Sequence, residues 1–392
     1  MLIGIIVRSV IRTIASLNLQ PWTEKEMMAN KVFDGLNVSR YRIGPEEDQF
    51  ATDESRKYIT EVSEEAVKEC QNKGGAETDE GRAAGLAVLT RETPQLEKFK
   101  KMMLTRQYLA MLAFYDPNND EWARLGMGEP LDENTKLWST DQLFGMGLRS
   151  RGAEEAEVIK RDLQDGAESA IICASGAGFN LGRGVGEFIQ ETGADPAGIS
   201  ISAVDASAGG LKHFKDRLRM VAGVDAQTFL RDLTHPKGIR TDHPSAALRR
   251  VKMAHEPPRM DFKKVPERAD AASLIGFGMY IPSEDFELPL EIGGRPITHL
   301  KMLGLTSILA SLWQDFKVQS LTFDVIHSPS DGPVGDAARL QHALTPVMMG
   351  RSLKQCSEED VSMIVEKACP GATTLNVGSD SHDLFSIYTI KR

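Results

Sequence analysis

Hydrophobic positions change their spacing along the chain. Ile3, Ile6, Val7, Val10, Ile14 and Leu17 share one helical side, and Arg8, Arg12 and Ser16 share the other, predicting an amphipathic helix over Met1–Leu19 that Pro21 ends. From Glu24 to about Gly147 the pattern predicts helices and loops. Tyr58–Asn72 is charged and helical, and Gly74-Gly75 breaks it. Glu97–Tyr115 carries Met102, Met103, Leu109, Leu112 and Phe114 on a helical period and stops at Asp116-Pro117.

Near residue 150 the period shortens. Helix Ala153–Leu163 is followed by a short apolar strand at Ser169–Ala174, a glycine-rich turn and a helix over Leu181–Glu191. Strand Ile199–Val204 and a basic helix over Ala208–Val221 come next. Strand–helix alternation predicts a parallel sheet covered on both faces. Further strands are expected at Leu248–Met253, Ala272–Ile281, Ser320–Ile326, Thr373–Val377 and Leu384–Ile390, with helices over Thr298–Phe316 and from Ser357. Only Gly378–Asp383 joins the last two strands; so short a link forces them antiparallel.

The 392 residues are 41% hydrophobic and 26% charged, a globular balance that suggests two domains, 1–150 and 151–392. A net charge of −10 argues against bulk nucleic acid as a partner. Cys70, Cys173, Cys356 and Cys369 have neither disulfide nor zinc spacing, and read as free thiols of a reducing cytoplasm. The eight histidines show no ligand spacing, so no metal is expected. No apolar run reaches the roughly 18 residues of a spanning helix. The first 20 residues are expected to dock on the chain's own core, with peripheral membrane contact as the alternative.

The richest chemistry lies in Ile171–Gly182. A strand runs into Ala174-Ser175-Gly176-Ala177-Gly178, small residues that let backbone approach a ligand just before a helix begins. Asp205 ends the next strand, where an acid can accept both hydroxyls of a ribose. Together they point to a nucleoside-containing cofactor. The bland alternative is that the glycines serve only helix–strand packing.

From about residue 150 onward the chain resembles the class I S-adenosylmethionine-dependent methyltransferases. Ile171–Gly178 is similar to that family's first motif, Ala203-Val204-Asp205-Ala206-Ser207 to its second, and Thr373–Val377 with Phe385–Lys391 to its closing hairpin. Leu321–Ile326 resembles its fifth strand. The resemblance implies an α/β, Rossmann-like, seven-stranded sheet whose antiparallel last strand lies beside the fifth, preceded here by a mostly helical N-terminal region. It also implies S-adenosylmethionine as cofactor and methyl transfer to an acceptor, expected to be a small molecule. Two departures stand out: Ala174 replaces the motif's first glycine, and Ile172 stands where an acid is usual. Glu191–Gly198 also lengthens the link to the second strand.

The cofactor-binding candidates are Ala174, Ser175, Gly176, Ala177, Gly178, Asp205, Ala206, Gly276 and Arg149. Arg149 and Arg151 sit in what reads as a glycine-framed turn, Gly147–Gly152, suited to clamping a carboxylate. Methyl transfer needs alignment more than a universal catalytic side chain, and Tyr280, near the end of the fourth strand, is the candidate to face the acceptor. His255-Glu256, Asp324 and Asp331 are weaker candidates that loop structure explains equally well. An NAD(P)-dependent oxidoreductase using the same turn, and a non-catalytic methyltransferase-like binding module, remain open at this point.

Overall fold

The structure, a computed structural model, describes residues 32–43, 53–105, 107–116, 119–141, 143–234, 266, 268–292, 295–327, 329, 331–349, 353–380 and 384–392. The helix expected over Met1–Leu19, the strand at Leu248–Met253 and His255-Glu256 lie outside the described residues. Val32–Leu36 belongs to an N-terminal unit and forms a turn in which the Leu36 N–H donates to the Phe33 carbonyl; Asn37–Arg392 is one compact unit.

Alternation from residue 169 builds the sheet as its pattern requires. Strands β2 (Ser169–Cys173), β3 (Ser200–Asp205) and β4 (Gln227–Leu230) are parallel and linked by helices α8 (Phe179–Thr192) and α9 (Ala208–Ala222). β2 is apolar and buried from Ala170 to Cys173, as a strand covered on both faces must be. On its other side β2 pairs with β5 (Ala271–Leu274), which pairs with β8 (Ser320–His327), both parallel. β10 (Thr374–Ser379) and β11 (Phe385–Lys391) form the C-terminal hairpin. β11 inserts antiparallel between β8 and β10.

The strands β4-β3-β2-β5-β8-β11-β10 thus form a seven-stranded sheet of the expected kind, with its last strand antiparallel beside the fifth, although β4 is not among the strands expected from the sequence. Among the described residues two more strands enlarge it. β1 (Asn37–Arg42) extends the β10 edge in parallel, and the two-residue β9 (Gln355–Cys356) pairs with the end of β8. Neither β1 nor β4 shows in the hydrophobic pattern. β1 is an edge strand of composition Asn-Val-Ser-Arg-Tyr-Arg, and β4 has four residues.

Ahead of the sheet run helices α1 (Asp53–Asn72), α2 (Asp79–Glu92), α3 (Leu96–Thr105), α4 (Gln107–Tyr115), α5 (Asp120–Met127) and α6 (Glu133–Asp141). The single helix expected over Glu97–Tyr115 is therefore two. Their apolar faces share one core with the sheet's C-terminal edge, where Leu89, Phe99, Phe114 and Leu148 pack with Ile326, Leu384 and Phe385. Phe99 meets Phe114 edge to face at 5.4 Å, an arrangement worth about 0.5–1.5 kcal/mol beyond burial. A second core lies beneath α7 (Leu143–Gln164), α8 and α9 on β2, β3 and β4. Residue 150 falls inside α7.

Three further sequence expectations are corrected. Gly147–Gly152 is helix, not a turn. Its glycines permit close packing: a Cβ on Gly147 would lie 2.9 Å from the Phe385 ring, and one on Gly152 2.3 Å from the Asn180 amide. The strand expected over Ala272–Ile281 ends at Leu274, because Gly276 turns left-handed (φ +84°) and Gly278–Tyr280 forms a 3-10 turn. The helix expected over Thr298–Phe316 starts as strand instead. β6 (Phe286–Ile292) and β7 (Arg295–Met302) pair antiparallel, with Ile292 opposite Arg295. Helix α10 (Leu305–Ala310) follows and loosens into a π-turn over Ser311–Asp315. The remaining helices are α11 (Pro333–Met349) and α12 (Glu358–Ala368). Ser357 caps α12 as its sequence predicts: its hydroxyl accepts from the Asp360 N–H while the Asp360 carboxylate accepts from the Ser357 N–H.

Helices α7 and α8 are held close by Gly184, whose absent Cβ would sit 2.2 Å from the Ala156 carbonyl oxygen. Gly182, two residues earlier, has nothing nearer than 3.7 Å. Gly184→Ala is therefore expected to lose about 1–3 kcal/mol to overpacking. Gly182→Ala gains up to about 1 kcal/mol from helix propensity. Thermal unfolding followed by circular dichroism should move the two melting temperatures in opposite directions.

Candidate functional site

A cavity of about 320 Å3 opens at the C-terminal ends of β2, β3 and β5, the edge at which open parallel sheets place their ligands. Its floor is the turn after β2. Ala174 takes φ +52°, Gly176 +51° and Gly178 +64°. Left-handed backbone is natural for glycine and strained for alanine, by roughly 1–2 kcal/mol. Ala174 thus holds a backbone shape that a glycine would take freely. No atom lies within 4 Å of where a Gly176 Cβ would project, so the backbone there presents a bare surface. At Gly178 a Cβ would meet the Phe214 ring of α9 at 2.4 Å, so this glycine is required by packing.

Asp205 closes one end of the cavity. One carboxylate oxygen accepts the Gly176 N–H at 3.0 Å and the other the Ser207 N–H at 2.6 Å. These bonds join the two loops that the sequence analysis selected, 29 residues apart. Each carboxylate oxygen keeps a further lone pair for a ligand hydroxyl. Burial raises the Asp205 pKa, while the backbone N–H groups of Gly176, Ser207 and Ala206 pull it back.

Charge gathers at the other end. Arg151 of α7 reaches Asp324 of β8 at 3.2 Å and donates to the Tyr115 hydroxyl of α4 at 3.0 Å. The second Asp324 oxygen accepts the Gly276 N–H at 2.7 Å. Burial raises the Asp324 pKa against the opposing pull of Arg151. Glu155, one helical turn after Arg151, lines the same cavity. Desolvation pushes its pKa up to about 7, with Arg151 and the Asn180 side chain pulling the other way.

Helix α4 roofs the cavity with Gln107, Tyr108, Met111, Leu112 and Tyr115. Tyr115 stacks on Phe179, ring centroids 5.9 Å apart and planes 9° from parallel. Tyr280 lines the cavity beyond Gly276, its hydroxyl 3.5 Å from the Gln107 amide nitrogen.

Of the sequence-selected residues, Ala174, Ser175, Gly176, Ala177, Gly178, Asp205, Ala206, Gly276 and Tyr280 all line this cavity. Arg149 does not; it opens onto a separate cavity, and Arg151 takes the place beside the cofactor candidates. Residues two apart on a helix point to different sides, so two arginines read as one clamp are divided by the helix that carries them. Ile172 is 2% exposed and does not line the cavity. Glu155 of α7 is an acid that lines the same cavity as Asp205, and motif spacing does not reveal it. Asp331 is exposed and away from the site. Among the described residues no cluster of three or more histidine, cysteine or acidic side chains is arranged to hold a metal, and no helix is long and apolar enough to cross a membrane.

Two outcomes follow from these charges. Arg151→Met leaves the Asp324 carboxylate, 0% exposed, without its cation. The expected loss is about 3–5 kcal/mol, and Arg151→Met with Asp324→Leu recovers most of it, read by denaturant unfolding. Glu155, with its folded pKa above the ordinary 4.5, binds more protons folded than unfolded. Its contribution to stability is therefore greatest at low pH, falls as pH rises from 4.5 to about 7, and is flat above. Glu155→Gln removes this slope, so its melting temperature should rise relative to wild type across that interval.

No protein-family model matches the chain, and no curated protein matches it. Among solved structures it is similar to magnesium protoporphyrin IX methyltransferase from Synechocystis PCC 6803 with bound SAH, at 11% identity and TM-score 0.40, covering 71% of this chain and 96% of that one. It is also similar to the pyocyanin biosynthetic protein PhzM, at 14% identity and TM-score 0.37, over 78% of this chain and 71% of that one. An O-methyltransferase family protein from Burkholderia thailandensis matches at 11% identity and TM-score 0.38, over 72% of each chain. Similarity this low says nothing of ligand or substrate, which must come from the chain's own residues.

Proposed function

We propose that this chain is an S-adenosylmethionine-dependent methyltransferase acting on a small-molecule acceptor. The observation that carries the reading is the Asp205 carboxylate, bonded to the Gly176 N–H at the mouth of the cavity. It brings together a bare left-handed turn that admits backbone contact and an acid suited to a ribose. The strand order supports the same reading, because β11 lies antiparallel between β8 and β10, as that family's sheet requires. A dinucleotide-binding sheet would favour parallel strands there.

The residues present fit such a cofactor. Asp205 would accept the ribose hydroxyls, and the backbone of Ala174–Gly178 would lie against the ligand. Glu155 and Arg151 would provide opposite charges for its amino-acid end, filling the role left by Ile172. When bound, the cofactor supplies an electrophilic methyl group on a sulfonium. The protein's part is to hold acceptor and methyl in line and to exclude water. Tyr280, which lines the cavity, would face the acceptor, and the α4 roof would shape its pocket. In this reading the helices before α7 serve as the acceptor-shaping region.

Isothermal titration calorimetry with S-adenosylhomocysteine tests this. Wild type is expected to bind, and Asp205→Ala to bind at least about tenfold more weakly, a loss of roughly 1.4 kcal/mol or more. No binding at millimolar ligand by a folded sample, or binding of a nicotinamide dinucleotide instead, would overturn the assignment.

A further inference from the structure

The seam between α7 and the sheet carries polar side chains at a depth where apolar ones are usual. On β8, Ser320, Thr322 and Asp324 alternate with Leu321, Phe323 and Val325, and all are buried. Alternation puts the three polar residues on one face of the sheet. Asp324 meets Arg151 of α7, so that face is the one α7 covers. β5 brings Ser273 into register with Thr322, and β11 brings Thr389 to its other side. A face buried between helix and parallel sheet is ordinarily apolar, because each hydroxyl placed there must find a partner.

Thr322 and Thr389 satisfy each other, hydroxyl to hydroxyl at 3.0 Å. Ser273 has no such pairing. It is 8% exposed, and its hydroxyl finds no hydrogen-bond partner among the described residues. A slit of about 10 Å3 opens beside it, lined by Glu155 and Asp162 of α7 and by Thr322. The rest of the lining is apolar, with Val158, Ile172 and Leu181 among it.

A buried water needs roughly 10–15 Å3 and two to four polar partners. The slit has space of that size, and its polar lining includes a hydroxyl left to donate and two carboxyls able to accept. Glu155 lines both this slit and the first cavity. Burial opposes the charged form of Glu155 most strongly; Arg151, Asn180 and Arg183 favour it, and Asp324 adds to the opposition. Burial likewise raises the Asp162 pKa, against the pull of Ser320, Lys391 and Arg161 and with the help of Asp165.

We propose that the slit binds one ordered water, which accepts from the Ser273 hydroxyl and donates to the Glu155 carboxylate. Ser273 is then a positioning residue: it acts through the water on the charge of the first cavity, which it does not itself line. A donated hydrogen bond favours the ionised carboxyl, so the water keeps Glu155 more charged than burial alone would. The same water gives the Ser273 hydroxyl the partner that the chain does not supply. This site depends neither on the methyltransferase reading nor on what the first cavity binds.

A high-resolution crystal structure of the full chain, with a pH titration of Glu155 followed by carboxyl-carbon NMR, provides the test; the Glu155 signal is the one lost in Glu155→Gln. Wild type is expected to show one water about 2.5–3.0 Å from both the Ser273 hydroxyl and the Glu155 carboxyl. Ser273→Val fills the slit, and should exclude the water and raise the Glu155 midpoint by about half a pH unit or more. Ser273→Ala removes the hydroxyl alone and should raise the midpoint by less. Circular dichroism confirms folding; should the valine variant not fold, the alanine variant carries the comparison. A serine that only packs would leave the midpoint where it is. No ordered water between the two groups in wild type, or a midpoint unchanged or lowered in the folded variants, would overturn the proposal.

Discussion

The buried ion pair between Arg151 and Asp324 holds the working end of this molecule together. It joins α7 to β8 at 3.2 Å, with Asp324 also accepting the Gly276 N–H beyond β5 and Arg151 also reaching the Tyr115 hydroxyl on α4. Four elements distant in sequence thereby meet beneath one cavity. Charges this deeply buried gain little over an apolar replacement in net stability. What they impose is geometry: each hydrogen bond fixes a direction that apolar packing would leave free. The Arg151 guanidinium also rests 5.1 Å from the Phe385 ring centroid, tying the network to the C-terminal hairpin.

From this anchor the two cavities take their shape. Tyr115, held by Arg151, stacks on Phe179, and the Arg217 guanidinium also lies over the Phe179 ring. Tyr115 and Phe179 line both cavities, one of about 320 Å3 and one of about 380 Å3, and Arg217 lines the second. Helix α7 feeds both, because Arg151 and Arg149 leave it on different sides. Ala174, in left-handed backbone that costs an alanine some stability, lies in the lining of the first cavity.

Much of the sheet is legible along the chain. Alternating apolar strands and amphipathic helices carry β2 to α9, and the short Gly378–Asp383 link dictates the antiparallel end. What escapes reading lacks a hydrophobic signature. β1 lies at an edge and is largely polar, and β4 is too short to show a period. The β6–β7 hairpin carries its turn signal at Gly293-Gly294, but the apolar residues from Thr298 onward also fit a helical period and mask it. The glycines of α7 read as a turn because a sequence does not show what their missing side chains make room for.

By itself the sequence determined the local facts of the site: the small residues after β2, the acid after β3, and the direction of the last strand. Each follows from short-range rules of backbone freedom, strand termination and loop length. The tertiary structure decided which charges meet. That Glu155 brings a carboxylate to the first cavity, and that Arg149 and Arg151 line different cavities, depends on how α7 is rotated against α8 and β8. That rotation is set by packing between residues far apart in the chain, among them Gly147 on Phe385 and Gly184 on Ala156, which no local pattern encodes.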